Sequence, residues 1–206
     1  MTKQVIVIGG GDSFNTYEEY VSSLKNCEVT IDKFRPKKDW KTNLPQRLGE
    51  DYDVLLPRMP NSANSRYNEW KIWSERMFTF LNNEVVLIGH SLGAMFLIKY
   101  LSENTFPKQI KKLFLVSSPY GENIEDPELV ERTADLAEFK PPESFDRLGE
   151  QIKNVFIFHS KDDMVVPFSE FAEIKKRLPQ AQVFVFEDRG HFNQEEFPEL
   201  VELIRQ

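Results

Sequence analysis

The stretch Val85-Val86-Leu87-Ile88-Gly89-His90-Ser91-Leu92-Gly93 decides the reading of this chain. Its first four residues form an apolar run with no polar alternation, the pattern of a strand buried on both faces. Gly-x-Ser-x-Gly follows at once, and a helical pattern over Ser91–Ser102 places Ala94, Met95, Ile98 and Leu101 on one face. The bare five-residue pattern arises by chance in roughly 7% of chains of this size, so the context carries the weight. A serine set between a buried strand and a helix is the setting of a nucleophile elbow. The sharp turn forces the serine into an unfavourable backbone conformation, and glycines at 89 and 93 let strand and helix approach closely. The serine oxygen then projects above the sheet edge. The free N–H groups and positive potential of the helix start lie beneath it, suited to a developing oxyanion. The Leu92 N–H is the expected first donor.

Five further apolar runs flank this segment: Val5–Ile8, Tyr52–Leu56, Leu113–Val116, Val155–Phe158 and Val183–Phe186. All but Tyr52–Leu56 are almost unbroken, which again reads as strands of a covered parallel sheet. Helical patterns lie between them, at Tyr17–Asn26, Tyr67–Leu81, Phe168–Leu178 and Phe197–Ile204. Their aromatic stripes, such as Tyr17, Tyr20, Val21 and Leu24, or Trp70, Trp73 and Met77, are read as core faces. Strands alternating with helices give βαβ units and one doubly wound sheet with right-handed crossovers. Two connections exceed a simple linker. Residues 27–51 are expected to hold a helix near Asp39–Leu48. Residues 119–150 contain Asp126-Pro127, a good helix start, and Pro141-Pro142, which interrupts a helix.

A serine is a weak nucleophile and needs a base that is itself held by an acid. On this kind of sheet the chain order is serine, acid, histidine. His159-Ser160-Lys161-Asp162-Asp163 follows the fifth apolar run, and Glu187-Asp188-Arg189-Gly190-His191-Phe192 follows the sixth. Both leave the carboxyl ends of strands, the edge at which open α/β sheets build sites. His90 sits inside the elbow with its side chain aimed elsewhere, and His159 ends a buried strand as a structural residue. His191 is therefore the expected base. The residues by themselves leave Asp162 and Asp163 competing for the acid. Gly9-Gly10-Gly11 does not complete a dinucleotide fingerprint, because Phe14 stands where the third glycine belongs, and no Lys-Ser or Lys-Thr makes it a phosphate loop. It reads as the loop that donates the second oxyanion N–H, from Gly11.

Composition narrows the partners. With 26 Lys and Arg against 33 Asp and Glu, the formal net charge of −7 disfavours nucleic acid. The basic residues between Lys33 and Lys41 are interspersed with Asp32 and Asp39 and read as a solvated face. A single cysteine, Cys27, allows no intrachain disulfide and fits a reducing compartment. Three histidines and one cysteine without ligand spacing supply no metal site, and no cofactor is expected. The N-terminal residues run straight into a strand pattern without a signal-peptide core, and no run of 18 apolar residues exists. These features give the expectation of a cytoplasmic protein, with a small acyl compound as its partner and no membrane.

These segments resemble the small serine hydrolases related to retinoblastoma-binding protein 9, over most of the chain. Met59-Pro60-Asn61 followed by Trp70 looks like that family's Met-Pro segment with its tryptophan. Gly89–Gly93 is similar to its elbow, Ser160–Asp163 running on to Val166-Pro167-Phe168 to its acid loop, and Gly190-His191-Phe192 to its histidine loop. The resemblance selects the second aspartate, Asp163, as the acid. It implies a single compact α/β-hydrolase domain over 1–206 lacking the first two strands of larger relatives, with six mostly parallel strands in a doubly wound sheet and helices on both faces. It also implies esterase-like activity on small acyl substrates. The oxyanion loop departs from the family's common His-Gly or Pro-Gly start. Leu24-Lys25-Asn26-Cys27-Glu28 has the wrong spacing for the family's retinoblastoma-binding motif, so that partner is not carried over.

Residues 119–150 leave the sheet beside the elbow and are expected to form a small lid lined by Leu129, Leu136, Phe139 and Phe145, with Phe139 and Phe145 touching substrate. Two rival functions share the same constellation: an acyltransferase using an alcohol in place of water, and a non-catalytic interaction module on a hydrolase scaffold.

Overall fold

The computed structural model describes residues 2–36, 38–121 and 136–206. The described elements run β1 (Lys3–Ile8), α1 (Tyr17–Asn26), α2 (Trp40–Leu48), β2 (Tyr52–Leu55), α3 (Tyr67–Phe78), β3 (Glu84–His90), α4 (Leu92–Glu103), β4 (Gln109–Val116), α5 (Asp146–Gln151), β5 (Val155–Ser160), α6 (Phe168–Arg177), β6 (Gln182–Phe186) and α7 (Pro198–Arg205). The six strands form one sheet in the order β2-β1-β3-β4-β5-β6, and every neighbouring pair is parallel. This is the α/β-hydrolase fold in its shortened form.

The unbroken apolar runs are explained by two core layers. Ile6, Ile8, Leu113 and Leu115 point into a layer roofed by α3, α4, α5 and α6. Their sequence neighbours Val5, Val7, Phe114 and Val116 point the opposite way, under α2 and α7. Alternate residues face alternate sides, so a strand covered on both must be apolar throughout. β6 departs from that expectation. It is an edge strand, and Val183 and Val185 stay exposed on the side away from Phe184 and Phe186.

The helix in the 27–51 connection is α2, one residue shorter than the expected span because Asp39 is its cap. The Asp39 carboxylate accepts from the Thr42 N–H, and the Thr42 hydroxyl meets the Asp39 N–H. α1 is capped in the same way by Thr16 and Glu19. Its apolar stripe, read as a core face, is not one: α1 buries none of its residues, and Tyr17 is 68% exposed. Trp73 likewise faces outward from α3, while Trp70 and Phe78 point inward.

β1 pairs with β2 on one side and β3 on the other. The chain reverses its direction of winding there, which leaves a crevice at the carboxyl ends of β1 and β3. Gly9 to Gly11 leave one end and Ser91 the other.

The segment expected to be a lid is described at residues 119–121 and 136–150; Leu129 and the Asp126-Pro127 helix start lie outside the described residues. Phe139 and Phe145 are not substrate wall but core, at 0% and 3% exposed. Phe139 packs edge-on against Trp70 and Tyr67, with ring centroids 5.2 and 5.9 Å apart, and Phe145 meets Tyr120 at 6.0 Å. Leu136 packs on the same cluster. Large aromatics in a segment without a clear period look alike whether they line a pocket or a core. Phe139→Ala is accordingly expected to lose about 3–5 kcal/mol of stability in denaturant unfolding. Near-wild-type stability together with a changed acyl-chain preference would return Phe139 to the binding wall.

Candidate active site

Ser91 adopts φ 56° and ψ −129°, a left-handed conformation that a serine holds only under constraint. The surrounding hydrogen bonds supply it. Ser91 N–H donates to Val116 O at 2.9 Å on the adjoining strand, while Ser91 O accepts from Ala94 N–H at 2.9 Å in the first turn of α4. A Cβ at Gly93 would run into the Ile8 and Gly9 carbonyls, and one at Gly89 into the Ala94 backbone. Both glycines of the motif are thus required by the contact between helix, strand and the loop after β1.

Asp163 is buried in the loop after β5. Its Oδ1 accepts from Val165 N–H at 2.8 Å and Val166 N–H at 2.9 Å, which fixes the carboxylate. Its Oδ2 lies 2.9 Å from His191 Nδ1. A carboxylate only accepts, so Nδ1 carries the proton and Nε2 is left with a free lone pair. Burial works to raise the Asp163 pKa, but the His191 hydrogen bond, the Val166 and Val165 N–H groups and the imidazole charge outweigh it. The net result is a carboxyl held below its ordinary value of 3.8.

Several residues hold His191 in place. Ser160 Oγ accepts from Arg189 N–H at 2.9 Å and donates to Asp162, whose Oδ1 also accepts from Gly190 N–H at 2.8 Å. Asp162 therefore braces the turn into His191 while Asp163 holds the ring. His90 donates from Nε2 to His191 O at 2.9 Å, and the two rings lie 4.9 Å apart. Among the hydrogen bonds of the described residues none joins Ser91 to His191; the two segments meet through His90, next in chain to Ser91. Trp40 stacks edge-on against His90 and donates from Nε1 to Phe192 O at 2.9 Å, and its own N–H donates to Gln194 O. The unassigned connection before β2 thus props the histidine loop from below. No local signal marks Trp40 for this, since its partners lie some 150 residues away in the chain. His90 and Asp162 were visible in their motifs, but their roles needed the tertiary contacts.

His159 is structural, as expected: buried, it donates from Nε2 to Val166 O at 3.0 Å and so shapes the acid loop. Burial lowers its pKa from 6.5, against the opposing pull of the Val166 hydrogen bond and the Asp163 charge. A depressed folded value means that the unfolded chain takes up the proton first, so stability falls as pH drops below 6.5. Asp163, also depressed, adds its own loss only in the lower window beneath 3.8. His159→Gln, which does not titrate, is expected to flatten the decline in unfolding midpoint between about pH 7.5 and 5. An equally steep decline in wild type and variant would assign the acid sensitivity elsewhere.

In the loop after β1, Gly10 is the residue against Ser91. A Cβ there would stand 2.9 Å from Ser91 Cβ and 3.3 Å from Oγ. A Cβ at Gly11 would instead meet Ser62 O at 2.6 Å and Ser65 Oγ at 2.8 Å. Gly10 is thereby the loop glycine packed on Ser91 and Gly11 packs on the loop after β2, while the Asp12 N–H is taken by Ser62 O at 2.9 Å. Among the described residues no cluster of three or more His, Cys, Asp or Glu is placed to hold a metal, and no helix is long and apolar enough to cross a membrane.

A parallel sheet with a strained serine at its switch point and a braced histidine at the same carboxyl edge has the layout of the α/β hydrolases. The chain belongs to the serine hydrolase family, whose model matches residues 33–203. It is 29% identical to the serine hydrolase RBBP9 of Rattus norvegicus over 154 residues, covering 75% of this chain and 77% of that protein. It is 27% identical over 201 residues to the putative hydrolase YdeN of Bacillus subtilis, covering 95% and 89%. The crystal structure of the B. subtilis ydeN product superposes with a TM-score of 0.72 over 99% of this chain and 97% of that one, at 22% identity. The 2-hydroxy-6-oxo-6-phenylhexa-2,4-dienoate hydrolase of Rhodococcus shares the fold at a TM-score of 0.65 and 16% identity, over 100% and 91% of the two chains.

Proposed function

We propose that this hydrolase cleaves small carboxylic esters through an acyl-enzyme on Ser91, with His191 as base and Asp163 as acid. The observation that carries the reading is the Asp163 carboxylate, its side chain fully covered, bound to His191 Nδ1 at 2.9 Å. A buried carboxylate in that position fixes the tautomer that leaves Nε2 basic, and it stabilises the imidazolium formed when a proton arrives.

Ser91 Oγ attacks the acyl carbon while its proton passes to His191 Nε2. The carbonyl oxygen becomes an oxyanion beside the N–H groups of Leu92, at the start of α4, and Gly11. The tetrahedral adduct collapses, the C–O bond to the alcohol breaks, and His191 returns the proton to the departing alkoxide. Water then attacks the acyl-enzyme with His191 again as base, releasing the carboxylic acid and restoring Ser91. The same groups would serve a thioester or amide, and the ester reading rests on the family.

The test is reaction with a fluorophosphonate probe, combined with turnover of p-nitrophenyl esters of graded chain length. Stoichiometric labelling and ester turnover are expected. A protein that neither labels nor turns over any ester is a binding module and not an esterase, and product capture by added alcohol in excess of its share would mark an acyltransferase.

A further inference from the structure

A cleft of about 800 Å³ opens on the β1 side of the elbow. Gly10 is part of its wall, and Gly10 is also the residue packed against Ser91. The cleft therefore ends at the glycine loop that packs on Ser91. Its far wall is the loop between β2 and α3, which is firmly braced. Trp70 donates from Nε1 to Pro60 O at 2.9 Å, Asn61 donates to Glu69 at 2.8 Å, and Ser65 N–H donates to Asp12 O at 2.7 Å. Tyr17, Tyr20 and Met59 give the cleft apolar surface, which accounts for an α1 stripe that does not reach the core.

Three charged side chains line this cleft: Arg58, Arg66 and Glu69. Two of them are committed. Glu69 accepts from Asn61, while Arg66 donates to Phe14 O at 2.7 Å and stands 3.7 Å from Glu138. Arg58 has no hydrogen-bond or ion-pair partner among the described residues. In a chain of net charge −7, an exposed guanidinium without a partner among the described residues, in a cleft that reaches the loop against Ser91, is the opposite of a solvated acidic surface. A guanidinium presents a planar fork of donors that fits a carboxylate two-fold.

We infer that Arg58 selects an ester whose acyl chain ends in a carboxylate, with the aliphatic part lying along Tyr17, Tyr20 and Met59 and the scissile carbonyl at Ser91. The inference rests on the proposed reaction at Ser91. The preferred substrates are then half-esters of dicarboxylic acids, and the second carboxylate is bound without being changed. Because Arg58 is exposed at the rim, its contribution is screened by salt and is largest at low ionic strength.

The experiment compares mono-p-nitrophenyl adipate and suberate with the neutral p-nitrophenyl hexanoate and octanoate, which have matching chain lengths. Wild-type protein is expected to favour the charged member of each pair by about tenfold in kcat/KM, the effect of one charge-assisted contact near the surface. Binding that is equal in ground and transition states places this preference in KM and not in kcat. In Arg58→Met the ratio of the two kcat/KM values should fall to near one, and Arg58→Lys should keep part of it. A wild-type ratio near one, or a ratio unchanged by Arg58→Met, overturns the inference. Calorimetric binding of monomethyl adipate, compared between wild type and Arg58→Met, decides the matter even if neither ester is turned over. Weaker binding by the variant supports the role of Arg58, and equal binding overturns it. Failure of the Ser91 reading shows separately, as absence of fluorophosphonate labelling.

Discussion

Ser91→Ala is expected to lower kcat for p-nitrophenyl esters by on the order of 10⁶, the scale on which removal of the nucleophile acts in hydrolases built this way. Oxyanion donors and binding surface survive the change, so a small residual rate above water remains. The fold should survive as well. Ser91 already holds φ 56° because Val116 O and the first turn of α4 fix its backbone, and alanine inherits the same strain with one oxygen fewer. The unfolding midpoint should therefore stay near that of wild type, and the loss of rate cannot be ascribed to unfolding. Labelling by a fluorophosphonate should vanish with the rate. Labelling that persists unchanged in Ser91→Ala would place the nucleophile elsewhere.

Replacing each aspartate of the acid loop by asparagine should separate two jobs that sit side by side in sequence. Asp163→Asn is expected to cut kcat by on the order of 10⁴. The amide oxygen can go on accepting from Val165 and Val166 N–H, but the amide nitrogen then faces His191 Nδ1. Two donors cannot meet, so the imidazole adopts the tautomer with its proton on Nε2 and ceases to be a base toward Ser91. Asp162→Asn should cost far less, because its single engaged oxygen keeps accepting from Ser160 and Gly190 after the change. Raising the pH does not restore Asp163→Asn to the wild-type rate if the tautomer is the cause. If Asp162→Asn proves the more damaging variant, the acid role moves to Asp162.

Much of this protein is written locally. The apolar runs from Val5 and Val85 give parallel strands because a strand covered on both faces has no position left for a polar residue. The elbow at Gly89–Gly93 is legible because only small flanking residues fit where the helix meets Ile8 and Gly9. The chain order of Ser91, Asp163 and His191 and their exit from strand ends follow from the same pattern. The Asp39 cap gives away α2 before any contact is known. α5 has no such signature, since its six residues are too few for a period to show.

Only the tertiary structure decides which apolar side chains meet which neighbours. A helical stripe states that one face is apolar and not what will cover it, so α1 reads like a core helix and yet borders the cleft. Phe139 and Phe145 read like pocket lining and are walled in by Trp70, Tyr67 and Tyr120. Trp40 supports the histidine loop, and Asp162 braces it while Asp163 engages the ring, because loops far apart in sequence converge at one sheet edge. Periodicity and capping are set by residues within a few positions of each other and survive in the sequence as patterns. Burial and partnership depend on where the sheet brings distant segments, and that placement sets Arg58, without a partner among the described residues, in the cleft that reaches the loop against Ser91.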